Sequence, residues 1–193
     1  MSTIPEQSKL TYDDYLLVPE DGKRYEIIGG ALYANAAPNT YHQAILGRLY
    51  IAFNKQIAEA KHGLVFLAPF DVQLDQHTVI QPDLTIILND RRSDLTKTKF
   101  DGVPSMVIEI ISPSNPSHDR DLKRKLYEQT EIAEYWMVDP EQKTVEQLVL
   151  SDGVYEVKEA SASTATSTAT STVALSIIPE TLIDIAGLFE FDF

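Results

Sequence analysis

The clearest strand pattern in the chain is the run Met106–Ile111, in which every residue is apolar except Glu109. A strand that is apolar on both faces is typical of the centre of a sheet that is covered on both sides. Other short apolar or β-branched runs, separated by turn residues, predict further strands: Leu64–Ala68, Phe70–Leu74, Asp83–Leu88, Glu134–Val138, Thr144–Leu150 and Val154–Glu159. The middle of the chain is therefore expected to be rich in strands.

Three segments show helical patterns. Thr11–Asp14 resembles a capping box and predicts a short helix through about Leu17. A long amphipathic helix is predicted from about Thr40, with Gly63 closing it. Its apolar stripe recurs at helical spacing: Ile45, Leu46, Leu49, Phe53, Ile57 and Ala60. A polar helix is predicted over Asp119–Thr130.

The two ends of the chain add a hairpin and a returning segment. Gly29-Gly30 between Arg24–Ile28 and Ala31–Asn35 predicts an N-terminal β-hairpin, because both glycines accept positive φ. Residues 160–173 are dominated by Ala, Ser and Thr, which predicts an exposed low-complexity loop. The apolar residues of 177–193 predict a helix or strand that packs on the core. At 193 residues, we expect one domain that spans 1–193.

Composition places this domain in a broad class. The chain contains no cysteine and no apolar stretch long enough to span a bilayer, and its N-terminus lacks the pattern of a secretory signal. These features favour a cytoplasmic protein without a membrane partner. The net charge of −13 argues against a nucleic-acid-binding function, because such proteins usually carry a basic surface. Clustered cations or a bound divalent metal could offset this charge locally.

Two carboxylates occupy positions where acids are costly. Glu109 is the charged residue of a predicted buried strand, and Asp83 starts the apolar run Leu84–Leu88. On neighbouring strands the two would form a hard oxygen site suited to Mg²⁺ or Mn²⁺. Taken singly, each has a plainer explanation: an ion pair for Glu109 and a cap or turn role for Asp83. The pair is more informative than either residue.

A lysine completes the pattern. Over Asp119–Thr130, Lys123 falls on the apolar stripe at helical spacing, whereas Arg124 and Lys125 fall on the other side. An inward-facing Lys123 could orient a water molecule or stabilise charge on a phosphate. An i, i+4 ion pair with Asp119 explains the same pattern equally well.

The order of several motifs resembles the Uma-type family of putative restriction endonucleases, within the PD-(D/E)XK nuclease superfamily. The similarity covers roughly Leu10 to Leu150 and, more weakly, the apolar C-terminus. The motifs that carry it are Glu26 in RYEIIGG, His42 after the Pro38 turn, QPDL at 81–84, VIEIISPS at 107–114, Asp119 with Lys123 and Tyr127, and EYWMVDP at 134–140.

This resemblance implies an α/β fold with a restriction-endonuclease-like mixed β-sheet flanked by helices. It also implies DNA as the substrate, Mg²⁺ or Mn²⁺ dependence and a homodimer. Asp83 and Glu109 map onto the superfamily's metal ligands. The superfamily lysine normally lies two residues after the second acid, where this chain has Ile111. The resemblance implies that Lys123 in the following helix takes its place.

Further site residues are implied by the same resemblance. Glu26 is a candidate metal or water ligand, and His42, Tyr127 and Ser112 are candidates for contacting the substrate. From the residues alone, Glu26 is equally a half-exposed acid opposite a basic neighbour such as Arg24. A lone histidine on an apolar stripe is more often a hydrogen-bonded core residue.

Two other functional classes stay open at this stage. The net charge and the displaced lysine also suit a catalytically inactive nuclease-fold module that binds protein or nucleic acid. Two carboxylates could instead serve a metal-independent glycosidase, which would need an open groove lined by aromatic residues. Chelation by EDTA separates the glycosidase from the nuclease.

Overall fold

The computed structural model describes residues 9–19, 21–35, 37–112, 118–162 and 172–192. Its α-helices are α1 (Tyr12–Tyr15), α2 (Thr40–Phe53) and α3 (Arg124–Gln129). α2 continues into a π-helical segment, Asn54–Glu59, and a second π-helical segment, His118–Lys123, leads into α3. A 3-10 helix covers Asn89–Asp94. In the described ranges, no helix is both long enough and apolar enough to cross a lipid bilayer.

The described residues also form thirteen strands. In chain order these are β1 (Arg24–Ile28), β2 (Ala31–Asn35), β3 (Gly63–Leu67), β4 (Val72–Asp75), β5 (Thr78–Ile80), β6 (Leu84–Leu88), β7 (Phe100–Asp101), β8 (Met106–Ile110), β9 (Glu134–Asp139), β10 (Thr144–Ser151), β11 (Val154–Ala162), β12 (Thr172–Ala174) and β13 (Leu182–Asp184).

These strands form two larger sheets and one two-stranded sheet, β12-β13. The first sheet has the order β2-β1-β5-β4-β7, and the second has the order β11-β10-β9-β8-β6-β3. Both are mixed, because β4 runs parallel to β7 and β8 runs parallel to β9, whereas the other pairs are antiparallel. The predicted mixed sheet is therefore observed.

Strand β8 separates two apolar clusters, as its sequence predicted. Alternate side chains of a strand point to opposite faces of the sheet. Met106, Ile108 and Ile110 pack in the cluster that contains α2, whereas Val107 and Ile111 pack in the cluster that contains α3. Helices thus flank the six-stranded sheet on both faces, and odd-numbered residues of β8 face α3.

The N-terminal hairpin has the predicted residues. β1 pairs with β2 across Gly29 and Gly30, whose φ values are 60° and 88°. These angles suit the tight two-residue turns that match the twist of a hairpin. Side chains of Ile27 and Ile28 are buried, so the hairpin packs against the rest of the protein.

The predicted end of the long helix at Gly63 is wrong. The helical segment ends near Glu59, Lys61 takes a left-handed φ of 64°, and Gly63 is the first residue of β3. A Cβ at position 63 would overlap the carbonyl oxygen of Ile87 on the neighbouring strand. Glycine is therefore required here for close strand approach rather than as a helix cap.

The C-terminal part departs from its prediction in detail. Residues 160–162 end β11 and 172–174 form β12, so the predicted loop is shorter than 160–173, and residues 163–171 lie outside the described residues. The apolar residues beyond residue 176 form little regular structure apart from β13 and the intervening turns. Several are nevertheless buried in the α2 cluster: Ile178, Ile183, Ile185, Leu188 and Phe189. The assignment of 1–193 to one domain stays a prediction.

Candidate active site

Asp83 and Glu109 lie opposite each other on adjacent strands. β6 and β8 pair antiparallel with Leu84 opposite Ile108, so Asp83, one residue before β6, faces Glu109. Opposite residues of an antiparallel pair lie on the same face, with Cβ atoms about 5 Å apart. Their relative exposures are 4% and 3%, so both carboxylates are buried. The fold brings together the two acids that the sequence singled out.

Lys123 reaches this pair from the helical segment that precedes α3. Its Nζ lies 2.8 Å from Glu109 Oε1 and 3.2 Å from Glu26 Oε1. Lys123 is 3% exposed, in agreement with the inward orientation that helical spacing predicted. These ion pairs involve acids that are distant in sequence, and the side chain of Asp119 lies outside the described residues. We call Glu26, Asp83, Glu109 and Lys123 the acidic cluster.

Glu26 is fully buried, at 0% exposure, so the interpretation as a half-exposed acid paired with Arg24 is wrong. The cause is tertiary packing of the hairpin. Glu26 Oε1 accepts a hydrogen bond from the Gln81 backbone amide (2.7 Å), and Oε2 accepts one from Asn35 Nδ2 (2.9 Å). With Lys123 as well, Glu26 joins the hairpin to both the sheet and the helix.

Asp83 is held by three groups. His42 Nε2 lies 2.9 Å from Oδ2, and the Ile110 backbone amide donates to the same oxygen at 3.0 Å. Arg24 NH1 lies 3.6 Å from Oδ1. Burial acts to raise the pKa of the Asp83 carboxyl, but His42, the Ile110 amide and the charge of Lys123 outweigh it, so the pKa is lowered.

This lowered pKa predicts how stability depends on pH. Asp83 has a folded-state pKa below its unfolded value of about 3.9, so it stabilises the fold above that pH and loses this contribution as the pH falls through the folded pKa. In urea unfolding with EDTA, the advantage of wild type over Asp83→Asn that is measured at about pH 5 should shrink below about pH 4. An advantage that grows as the pH falls from about 4 to about 3 would contradict this assignment.

Tyr127 contacts Glu109, and Ser112 follows the strand that carries Glu109. The Tyr127 hydroxyl donates to Glu109 Oε1 at 2.6 Å, and the residue is 0% exposed. Burial and the charges of Glu109 and Glu26 raise its pKa, so the phenol remains a proton donor to the carboxylate. Ser112 is half-buried just after β8. The predicted substrate contacts of Tyr127, Ser112 and His42 stay predictions, although Tyr127 and His42 contact carboxylates of the cluster.

The sequence of this chain matches a known protein family. A sequence model described as "Uma2: Putative restriction endonuclease" matches residues 12–181. The chain belongs to the Uma2 family. The resemblance inferred from the motifs is thereby confirmed, and the match includes every residue of the acidic cluster.

Two individual proteins are similar to this Uma2 chain. The uncharacterized protein slr1290 of Synechocystis sp. is 29% identical over 122 residues, which cover 62% of each chain. A crystal structure titled as a putative nuclease belonging to DUF820 from Anabaena variabilis has a TM-score of 0.73 and 20% identity, covering 93% of this chain and 97% of that one. The predicted restriction-endonuclease-like fold class is confirmed, and the family supports a nuclease-like function.

The cluster's donor chemistry suits a hard divalent cation, and metal binding by Asp83, Glu109 and Glu26 stays a prediction. Among the described residues, no group of three or more His, Cys, Asp or Glu side chains is placed to hold a metal ion. Lys123 lies between Glu26 and Glu109, and both oxygens of Glu26 accept hydrogen bonds from protein groups. Buried carboxylate oxygens such as those of Asp83 and Glu109 are nevertheless what Mg²⁺ and Mn²⁺ prefer.

Three contributors to the site escaped the sequence analysis. Arg24 contacts Asp83, Asn35 binds Glu26, and Gln81, the first residue of the QPDL motif, binds Glu26 through its backbone. The hairpin register carried a usable signal, because Arg24 and Glu26 share one face of β1 and Arg24 pairs with Asn35. The amide of Gln81 had no such signal, since backbone donors carry no sequence identity.

Proposed function

We propose that this protein is a metal-dependent endonuclease that hydrolyses phosphodiester bonds of DNA with Mg²⁺ or Mn²⁺. The observation that carries the proposal is the convergence of three buried carboxylates and a buried lysine from separate parts of the chain. Burying this many charges is costly even when they are paired, and such clusters are found preferentially at functional sites. Membership of the Uma2 family supports the reaction class.

Asp83 and Glu109 are the residues that would hold the cation. Their carboxylates are buried, lie on the same face of two adjacent strands and carry hard oxygen donors. A divalent cation bound there would make coordinated water more acidic and offset the negative charge of a phosphate. His42 and the Ile110 amide fix the orientation of Asp83, and Tyr127 fixes that of Glu109.

Lys123 supplies the positive charge that Ile111 cannot. Ile111 is 4% exposed and packs in the α3 cluster, so that position contributes to the core. The Lys123 ammonium donates to Glu109 and would orient the attacking water or stabilise charge on the phosphate. We assign Glu26 to holding Lys123, because its oxygens are engaged by Gln81, Asn35 and Lys123 itself.

The negative net charge of the whole chain fits the proposal only if positive charge is concentrated near the acidic cluster. A net charge of −13 disfavours nucleic acid over most of the surface, so binding would depend on the cations near the cluster and on the divalent ion. The same charge favours the alternative of an inactive nuclease-fold module. The proposal also includes the cytoplasmic location and the homodimer that the resemblance implied.

A cleavage assay tests the proposed function. Purified protein is incubated with supercoiled plasmid and with single-stranded DNA in Mg²⁺, in Mn²⁺ or in EDTA. We expect cleavage that requires the divalent ion and that falls at least about a hundredfold in Asp83→Asn and Glu109→Gln, because each removes a charged group from the reaction centre.

The matched control is Asp90→Asn, which removes an exposed carboxylate just beyond the other end of β6 and should cleave like wild type. Equal rates for wild type and both site variants would reject the endonuclease on these substrates and favour the inactive module. Hydrolysis that survives EDTA would instead point to a metal-independent mechanism.

A further inference from the structure

Two side chains that contact Asp83 each carry a buried polar atom without a hydrogen-bond partner. Within the described ranges there are five such side-chain atoms, and two of them are Arg24 Nε and His42 Nδ1. Arg24 NH1 lies 3.6 Å from Asp83 Oδ1, and His42 Nε2 lies 2.9 Å from Asp83 Oδ2. Leaving a buried donor or acceptor unpaired is unfavourable, so both side chains keep unused hydrogen-bonding capacity beside the acidic cluster.

Arg24 is more exposed than the charged groups of the acidic cluster. Counting side-chain atoms alone, the exposed fraction is 25% for Arg24, 6% for Asp83, 4% for Lys123 and 0% for Glu26. Arg24 and Glu26 are two residues apart on β1, so their side chains lie on the same face of the hairpin. The guanidinium of Arg24 is therefore more accessible to a ligand from solvent than the Lys123 ammonium.

The guanidinium is held loosely. Its NH1 lies 3.6 Å from Asp83 Oδ1, which is a charge contact but longer than a hydrogen bond, and its buried Nε has no partner among the described residues. Arginine presents several coplanar N–H donors that match the oxygens of a phosphate. This arginine therefore keeps donor capacity that its protein neighbours do not use.

We propose that Arg24 binds a backbone phosphate of the nucleic acid at the entrance to the acidic cluster, an inference that rests on the proposed function. The carboxylates beneath would repel a phosphodiester, and a cation at the entrance offsets that repulsion where the substrate first arrives. The contact is to the backbone, so it strengthens binding of all sequences and reads none of them.

Binding of a fluorescent single-stranded oligonucleotide tests this, once in EDTA and once in Ca²⁺, over a range of salt concentrations. Arg24→Gln should weaken binding about tenfold. Arg24→Lys should weaken binding less, because lysine keeps the positive charge but lacks the planar guanidinium. The slope of log affinity against log salt should fall by about 0.7 in Arg24→Gln, the value for one lost phosphate contact on a single strand.

Lys23→Gln is the matched control, because it removes a cation from the adjacent residue. Lys23 is 59% exposed and pairs with Asp21, away from the cluster, so this variant should bind within about twofold of wild type. Thermal unfolding of each variant, with Arg24→Lys as the milder change, separates a lost contact from a lost fold.

A series of oligonucleotides of the shortest length that still binds, which fixes their register, with one neutral methylphosphonate linkage each, locates the contact. Wild type and Lys23→Gln should lose about tenfold in affinity at one linkage, whereas Arg24→Gln should be insensitive at that linkage. Wild type that neither binds nor cleaves nucleic acid overturns the proposed function. Wild type that binds, with Arg24→Gln binding equally well and showing the same linkage dependence, overturns only the role of Arg24.

Discussion

Replacing Lys123 with methionine is expected to lower the free energy of unfolding by about 3–5 kcal/mol. The Lys123 ammonium lies 2.8 Å from Glu109 and 3.2 Å from Glu26, and all three side chains are buried. Methionine matches the length of lysine but leaves two carboxylates facing each other without their cation. Urea unfolding at pH 7 measures the effect, and the same variant should lose cleavage activity.

Lys125→Met is the control for this change, because Lys125 lies on the exposed side of the same helix. It should alter stability by no more than about 0.5 kcal/mol. The double variant Lys123→Met/Glu26→Gln should be destabilised less than the two single changes combined, since one stranded charge is removed with its partner. Equal stability of the Lys123 and Lys125 variants would show that the buried ion pairs contribute nothing.

Replacing Glu134 with alanine is expected to destabilise the protein by about 3 kcal/mol or more. This carboxylate on β9 is 0% exposed and accepts four hydrogen bonds. The donors are Trp136 Nε1 (2.7 Å), Gln147 Nε2 (2.6 Å), Ser176 N (2.8 Å) and Ile177 N (3.1 Å). Alanine removes the acceptor of all four donors and so weakens the attachment of the C-terminal segment to the central sheet.

Hydrogen exchange distinguishes this local release from general loss of stability. In Glu134→Ala, the exchange rates of the amides in residues 175–192 should rise above their wild-type values by more than those of β8. Glu156 is an exposed acid on β11, and Glu156→Ala should leave both sets of rates unchanged. Uniform acceleration across the chain would mean that Glu134 does not hold the C-terminal segment in particular.

Two site residues were predictable because their signal is local. Glu109 stands out as the charge in an apolar strand, and Lys123 stands out because helical spacing places it on the apolar stripe. Both are buried as expected. Their roles in a reaction are still predictions, because burial and contact describe position rather than chemistry.

Other features depended on contacts between distant segments and were therefore invisible locally. From the local sequence, Glu26 is expected to be a half-exposed acid of the hairpin. It is buried because the hairpin packs beside Gln81 and Lys123. The strands β5 and β7 have three and two residues, too few for an alternating pattern. Gly63 was assigned to a helix end because its close approach to Ile87 could not be recognised from the sequence. That approach depends on the register between β3 and β6.

The attachment of the hairpin has a consequence for how chemistry and stability are linked. Backbone pairing between β1 and β5 is registered at Ile27 with Val79, and the charged contacts of Arg24 and Glu26 add to it. The contacts that arrange the acidic cluster are thus also contacts that hold the hairpin in place. A ligand that draws Arg24 or Lys123 toward itself would weaken the hold on residues 24–35, so binding energy and local unfolding would be exchanged directly.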